Sequence, residues 1–191
     1  MNFNEHSNLE GRHAFLSPSS YHWINYDDEK LDIVFNKVLA KEWGNRLHAF
    51  AAEAIRLGIK LGNPKHTLSL YVNDAIGYKM TPEQSLCYSE NCFGRADAIS
   101  FRKNFLRIHD FKSGVTPTSI HQLEVYAALF CLEYNFRPET IKMELRLYQS
   151  EKIIVHPPLP EDIRRIMDTI IAFDQRIDKL KSGEGGSWKM N

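Results

Sequence analysis

The chain has 191 residues, of which 43% are hydrophobic and 25% are charged, so it is long enough to bury one sizeable core but short for two full domains. Lysine plus arginine and aspartate plus glutamate both total 24, which gives a formal net charge of zero. This balance excludes a polybasic tail and a uniformly basic nucleic-acid coat. Any contact with phosphates must therefore come from a local patch.

The cysteine content and the hydropathy pattern bear on where the protein resides. Three cysteines are an odd number for a disulfide framework, and we interpret Cys87, Cys92 and Cys131 as free thiols in a reducing compartment. No apolar run approaches the roughly 20 residues that span a bilayer. The first ten residues are polar and lack the apolar core of a signal peptide. We therefore predict a cytoplasmic protein that does not enter a membrane.

The first half of the chain is predicted to be mainly helical. Residues 1–16 are polar with little apolar periodicity, and we expect a flexible arm there. The Ser17-Pro18 pair indicates a helix start, with the serine as its cap. Apolar residues recur at three- and four-residue intervals from Asp28 to about Leu61, which predicts a helical region that is interrupted near Gly44. The pattern of residues 67–81 leaves a strand and a turn open.

The second half is predicted to combine strands with helices. Lys103-Asn104 fits the tight turn of a hairpin, residues 120–134 fit an amphipathic helix, and Pro160 begins a last helix that precedes a disordered tail at 182–191. The predicted strands are 86–89, 94–101, 105–112 and 141–148, with 152–155 as a candidate partner of the last. This order of elements indicates an α/β (α+β) fold, with a central mixed β-sheet flanked by helices, in one domain over residues 17–181.

The strand at 105–112 ends with an aspartate and a lysine two residues apart, and the pleat places both on one face. The carboxylate of Asp110 could bind a hard divalent cation, while the ammonium of Lys112 stabilises negative charge at a phosphate or positions a water. Alternatively the two form a surface salt bridge, which is worth only about 0–1 kcal/mol. The tripeptide alone favours this second interpretation.

A second aspartate changes that balance. Asp97 lies on the preceding predicted strand, and a turn at Lys103-Asn104 would place it opposite or near residues 110–112. Two carboxylates beside one lysine repel each other by a few kcal/mol at an effective dielectric constant of about 20, a cost that bound Mg²⁺ or Mn²⁺ would reverse. Packing does not readily explain their convergence, so the pair predicts a metal site.

Two helical motifs lie on either side of this hairpin. Gln122 and Tyr126, at positions i and i+4, share one helix face, and His48 follows Gly44 by one turn. Each motif has a plain structural alternative. Gln122 and Tyr126 could form the boundary of a core helix, and His48 could be a partly buried hydrogen-bonding side chain.

Taken together and in this order, the motifs resemble those of the PD-(D/E)XK nuclease superfamily. The branch they resemble most is the RecB-like group, which includes the Cas4 exonucleases and small phage-encoded relatives. The resemblance covers roughly residues 40–150, and its motifs are Gly44-x-x-x-His48, Gly94-x-x-Asp97, Asp110-Phe111-Lys112 and Gln122-x-x-x-Tyr126. It implies a restriction-endonuclease-like core and a metal-dependent deoxyribonuclease that hydrolyses phosphodiester bonds.

The resemblance also implies a role for each motif residue. The implied metal ligands are His48, Asp97, Asp110 and the backbone carbonyl of Phe111. Lys112 would be the catalytic lysine, and Gln122 and Tyr126 would support it near the DNA strand. Glu53 follows His48 by five residues on the same helix and would point about 140° away, so we do not expect it to bind the metal.

The cysteine count is the informative departure from the family. Cas4 and AddB-type nucleases hold an iron–sulfur cluster with four cysteines, whereas this chain has three in all. We therefore expect Mg²⁺ or Mn²⁺ as the cofactor and no iron–sulfur cluster. Asp110 stands where the family accepts either aspartate or glutamate.

The expected substrate is DNA, cut without sequence preference by an exonuclease of recombination, repair or phage DNA processing. No zinc finger, recognition helix or basic arm is recognisable, so we expect contacts mostly to phosphates. The candidate DNA contacts are Arg46, Arg95, Arg102 and Lys103. A second copy of the chain or a recombination protein is a further candidate partner.

One alternative to a nuclease is a catalytically silent nuclease-fold protein that binds DNA or a protein partner. Another is a structural α/β domain whose polar residues align by chance.

Overall fold

The computed structural model describes residues 4–63 and 65–183. The chain divides into two compact units, one ending at Trp43 and the other starting at Gly44. The expected arm at 1–16 and the expected tail at 182–191 fall partly outside the described residues, at 1–3 and 184–191. Both stay predictions, as does the single domain over 17–181.

The first unit is helical. It contains two 3-10 helices, Ser7–Leu9 and Pro18–Asn25, and the first part of a long helix α1, Asp28–Leu57. The Trp23 indole N–H donates to the carbonyl oxygen of Ser17 at 2.9 Å. The rings of Phe15 and Phe35 meet edge to face, with centroids 5.1 Å apart. The helix start at Ser17-Pro18 is confirmed, but the Ser17 side chain makes no capping hydrogen bond to the helix.

Helix α1 is continuous through Gly44, so the predicted interruption there is wrong. Glycine in a helix interior costs about 1 kcal/mol relative to alanine, which is too little to break a long helix that packs elsewhere. At Gly44 the missing side chain serves packing, because a Cβ there would lie 3.1 Å from Ser113 Oγ. This glycine marks the close approach of the loop at Ser113.

Helix α2, Thr67–Gly77, occupies most of the stretch for which the pattern left a strand and a turn open, so the strand interpretation is wrong. Its buried residues Leu68, Tyr71, Val72 and Ala75 follow the spacing of one helix face. Leu70 is partly buried at the edge of the same cluster, and its position between Leu68 and Val72 produces the strand-like alternation.

A five-stranded mixed sheet forms the centre of the second unit. Its strands are β1 Thr81–Ser89, β2 Cys92–Arg102, β3 Phe105–Lys112, β4 Lys142–Gln149 and β5 Lys152–His156. They lie in the order β1-β2-β3-β4-β5, and only β3 and β4 run parallel. Helix α3, His121–Glu133, and a 3-10 turn, Pro138–Thr140, connect β3 to β4, and helix α4, Pro160–Lys181, follows β5.

The predicted strands and helices of this half are confirmed, and the limits of all but one agree within two residues. Strand β1 begins at Thr81 rather than at Leu86. The turn between β2 and β3 is at Lys103-Asn104 as predicted, with φ angles of 50° and 57° that suit a two-residue hairpin turn.

Helices cover both faces of the sheet, in agreement with the α/β class. One apolar cluster packs β3 against α3 and α4, with Leu106, Leu123 and Ile163 fully buried. The other packs the sheet against α2 and the last turns of α1, with Tyr71 and Phe111 at its centre. Among the described residues, no helix is both long enough and apolar enough to cross a membrane.

The three cysteines are unpaired. Cys87 is exposed, Cys92 is partly buried and Cys131 is buried in the core. Burial raises the pKa of the Cys131 thiol to about 12, so this thiol stays protonated near neutral pH.

Candidate active site

The two aspartates of the β2–β3 hairpin lie at the same end of the sheet. The ladder pairs Ala98 with His109, so Asp97 and Asp110 are the next residue on each strand, as the predicted turn requires. Asp97 Oδ2 accepts a hydrogen bond from the Phe111 backbone N–H at 2.9 Å. This bond fixes the Asp97 carboxylate against the strand that carries Asp110.

Lys112 connects the end of β3 to helix α3. Its Nζ donates to Asp110 Oδ1 at 3.1 Å and to Gln122 Oε1 at 2.9 Å. Gln122 Nε2 donates to Tyr126 Oη at 3.4 Å, and the Tyr126 hydroxyl donates to the Arg95 carbonyl at 2.8 Å. The pair at i and i+4 on α3 therefore reaches both the lysine and strand β2.

His48 reaches the same place from helix α1. Its Nδ1 lies 3.3 Å from Asp97 Oδ1, and its ring lies 5.4 Å from that of Phe111, centroid to centroid. The hydrogen bond to Asp97 raises the pKa of His48, although partial burial acts in the opposite direction. All the residues that the resemblance implies as ligands or as catalytic and supporting residues are thus joined in one set of contacts.

Glu83 belongs to this site and was missed by the sequence reasoning. It lies on β1 between Pro82 and Gln84, which pair with the residues on either side of Asp97. Its φ of 54° is in the left-handed region, which is uncommon for a residue with a side chain. Had β1 been predicted to begin at Thr81, its pairing with β2 would have placed Glu83 opposite Asp97 and so indicated its role.

Three of these residues form a candidate metal-binding group. His48, Glu83 and Asp97 each offer one ligand atom, and these atoms lie within 4.8 Å of one another. Two ligands on opposite sides of an octahedral Mg²⁺ are about 4.2 Å apart, so the spacing suits such an ion. Carboxylate oxygens and an imidazole nitrogen are also suitable donors for Mg²⁺ and Mn²⁺.

Asp110 supplies the independent observation that favours a cation. The residue is only 2% exposed. Its Oδ2 makes no hydrogen bond, because Lys112 Nζ lies 3.0 Å away but outside hydrogen-bonding geometry. Burial and the charge of Asp97 raise the pKa of Asp110 to about 6, against the lowering effect of Lys112. An incompletely satisfied buried carboxylate beside a second carboxylate fits a cation site.

An open groove of about 820 Å³ leads to this group. The groove is comparable to the pockets of about 300–1,000 Å³ that take small ligands. His48, Glu83 and Asp97 lie in it together with Arg95, whose Nε pairs with Glu83 Oε2 at 2.8 Å. Glu53 also lines the groove, where it is exposed and pairs with Arg56.

The four candidate DNA contacts separate into different places. Arg95 lines the groove, whereas Arg46 is exposed on α1 and does not line it. Arg102 and Lys103 lie at the β2–β3 turn, at the opposite end of the strands from Asp97 and Asp110. The four residues predicted as DNA contacts therefore do not form one surface, because Arg102 and Lys103 lie at the far end of the hairpin from Arg95.

The glycine of the Gly94-x-x-Asp97 motif has a packing function. A Cβ at Gly94 would lie 2.9 Å from Tyr126 Cε1, closer than such contacts allow. The Tyr126 ring can therefore cross β2 only where a glycine stands. This position aligns its hydroxyl with the Arg95 carbonyl.

Comparisons of this chain with protein-family models, with curated proteins and with solved structures found no match. Its assignment to a superfamily is consequently a proposal, which depends on the motifs and on the geometry described above.

Proposed function

We propose that this protein is a metal-dependent DNA nuclease of the PD-(D/E)XK superfamily, in its RecB-like branch. One observation carries the proposal: motifs from α1, β2, β3 and α3 meet in one chain of polar contacts. A structural domain whose polar residues align by chance would have no reason to bring these elements together. The incompletely satisfied carboxylate of Asp110 supports the same conclusion, because buried polar atoms normally have partners.

The proposed cofactor is Mg²⁺ or Mn²⁺. When bound, the ion would polarise the scissile phosphate and lower the pKa of a water molecule. The side chains that would hold it are His48, Glu83 and Asp97, whose ligand atoms lie within 4.8 Å of one another, together with Asp110 and the Phe111 carbonyl, which the resemblance implies. Of these, Glu83 is added by the geometry.

Lys112 is the residue proposed to act on the reacting phosphate. Its ammonium contacts both Asp110 and Gln122, so its position does not depend on the aspartate alone. If Asp110 binds the metal ion, the hydrogen bond to Gln122 still holds the Lys112 ammonium at the site. A preorganised positive charge there stabilises negative charge as it develops on the phosphate oxygens. Tyr126 in turn fixes Gln122 against strand β2.

The proposed substrate is the phosphodiester backbone of DNA, without sequence preference. Arg95 and Arg56 line the groove at the site and can contact phosphates, and phosphate contacts carry no sequence information. Following the resemblance, we propose an exonuclease of DNA recombination, repair or phage DNA processing that acts in the cytoplasm.

Cleavage of defined substrates tests this proposal. End-labelled linear and closed circular DNA, single- and double-stranded, are incubated with the protein and Mg²⁺ or Mn²⁺. We expect metal-dependent cleavage of linear DNA, sparing of circles, and a loss of at least about a hundredfold in Asp110→Asn and in Lys112→Gln. The matched controls are Asp168→Asn and Lys152→Gln, at exposed positions outside the site.

Two results would contradict the proposal. Cleavage that persists in both site variants would show that these residues do not carry the activity. Absence of cleavage on every substrate would favour the alternative of a silent nuclease-fold protein.

A further inference from the structure

A second groove, of about 590 Å³, lies at the β2–β3 turn. Its walls come from the turn, from the start of β3 and from the segment that enters β4. Four cations line it, Arg102, Lys103, Arg107 and Lys142, against one carboxylate, Glu139. In a chain with a formal net charge of zero, this is a local concentration of positive charge.

Two of the four cations have no partner in the part of the chain that the structure describes. Among the residues described here, Lys103 and Lys142 make no ion pair or side-chain hydrogen bond, and both are exposed. The single carboxylate does not neutralise them, because Glu139 is paired with Arg164 of α4. The two lysines are thus available to an external anion.

The other two cations are held in place. The Arg107 guanidinium stacks over the rings of Phe105 at 3.9 Å and Tyr78 at 4.6 Å, and its Nε donates to Glu144 at 3.2 Å. Arg102 donates to the Lys79 carbonyl at 3.2 Å. A guanidinium fixed on an aromatic face loses little conformational entropy when it binds a ligand. The groove therefore combines two preorganised arginines with two free lysines.

This groove is separate from the proposed cleavage site. Strand β3 begins at Phe105 in the groove and reaches Asp110 five residues later, which corresponds to about 17 Å at about 3.3 Å per residue. Over residues 4–63 and 65–183, none lines both grooves.

We propose that this second groove binds the phosphate backbone of nucleic acid, away from the site of cleavage. The regularly spaced phosphates of a nucleic acid are suitable ligands for a groove that four cations line against one carboxylate. The groove would hold a length of substrate that the cleavage site does not contact. The inference rests on the proposed function only in taking DNA as the ligand.

Equilibrium DNA binding, measured by fluorescence anisotropy without divalent cations, separates the groove from the cleavage chemistry. The probes are fluorescein-labelled single- and double-stranded oligonucleotides, over a range of salt concentrations, with the full chain. We expect Lys103→Glu/Lys142→Glu to weaken binding at least tenfold. The slope of log affinity against log salt should fall by about 1.4 to 1.8, the value for two lost phosphate contacts. The matched control is Lys60→Glu/Lys152→Glu, at exposed positions outside the groove, and circular dichroism verifies that both variants fold.

The outcomes distinguish this inference from the nuclease proposal. If DNA binding depends on the two lysines but no DNA is cleaved, the groove stands and the nuclease proposal fails. If the groove variant binds DNA with wild-type affinity and salt dependence, the inference is overturned even if the protein cleaves DNA. Binding of polyglutamate in place of DNA would also overturn it and would indicate an acidic protein partner.

Discussion

At the scale of one residue, the buried carboxylate of Asp110 serves the proposed metal site but lowers the stability of the folded protein. Its carboxylate is buried beside Asp97, and its pKa of about 6 reflects the cost of keeping it charged there. Lys112 offsets only part of that cost, since one oxygen of the carboxylate lacks a hydrogen bond. In the absence of a cation, Asp110 therefore destabilises the folded protein near neutral pH.

Asp110→Asn should accordingly stabilise the protein in the absence of metal. At pH 8 in EDTA we expect a gain of about 1–3 kcal/mol in the free energy of unfolding, because a pKa shift of about two units corresponds to that amount. Added Mn²⁺ should raise the Tm of the wild type but not that of the variant. Thermal unfolding monitored by circular dichroism measures both effects, with Asp168→Asn as the control. A variant less stable than the wild type in EDTA would contradict this account of Asp110.

Glu83 provides a test of the metal-binding group itself. Glu83→Gln keeps the size of the side chain but removes a charged oxygen ligand, so we expect Mn²⁺ affinity to fall at least tenfold. Isothermal titration calorimetry measures the affinity, and Glu90→Gln, at an exposed position on the β1–β2 turn, is the control. Equal affinities in the two variants would exclude Glu83 from the site.

Gly94 tests the packing that positions Tyr126. An added Cβ would lie 2.9 Å from Tyr126 Cε1, so the ring must move and its hydrogen bond to Arg95 is lost. We expect Gly94→Ala to cost about 1–3 kcal/mol in urea denaturation, as overpacking does. Gly77→Ala is the control, since a Cβ there meets nothing within 4 Å and alanine favours the helix. Similar stabilities for the two variants would show that Tyr126 has room to shift.

At the scale of whole elements, the sequence predicts strands and amphipathic helices better than it predicts close approaches. Strand β3 has the predicted limits because alternating apolar residues end at a charged pair. Helix α1 is not interrupted at Gly44 as predicted. The glycine there accommodates the close approach of Ser113, a residue distant in sequence. Glu83 could not be placed for a similar reason, since its proximity to Asp97 depends on the β1–β2 register.

A buried carboxylate joins helix α3 to strand β5. Glu124 is 7% exposed, and its two oxygens lie 2.7 Å from His121 Nδ1 and 3.0 Å from His156 Nε2. Burial alone would raise the pKa of Glu124, but the two histidine contacts outweigh it and lower the pKa below its ordinary value. The ionised carboxylate is therefore favoured in the folded protein.

The stability that Glu124 supplies should depend on pH in a defined direction. A carboxyl group whose pKa is lowered by folding contributes fully above its unfolded value of about 4.5 and loses its contribution as the pH falls through the folded value. We expect Glu124→Gln to lower the Tm at pH 7 and the difference from wild type to shrink below pH 4.5. Thermal unfolding from pH 7 to pH 3 measures this, with Glu151→Gln as the control. A Tm difference that grows as the pH falls would contradict the prediction.

At the scale of the whole molecule, one sheet presents two charged regions at its two ends. The candidate metal-binding group and Lys112 lie at the end of the β2–β3 hairpin away from its turn. The second groove, with its four cations, lies at the turn. A formal net charge of zero is thus compatible with nucleic-acid binding, because positive charge is concentrated in one place. The sequence indicated a local patch, and the predicted turn at Lys103-Asn104 already implies that Arg102 and Lys103 lie at the far end of the hairpin from Asp97 and Asp110.

The central claim is that side chains from four separate elements form one divalent-cation site. Anomalous diffraction from a crystal of the protein soaked in Mn²⁺ tests it most directly. We predict one dominant peak in contact with Asp97 and Asp110, with His48 and Glu83 as neighbours, and no peak there in Asp110→Asn. Ordered Mn²⁺ elsewhere on the protein, with none at Asp97 and Asp110, would contradict the claim.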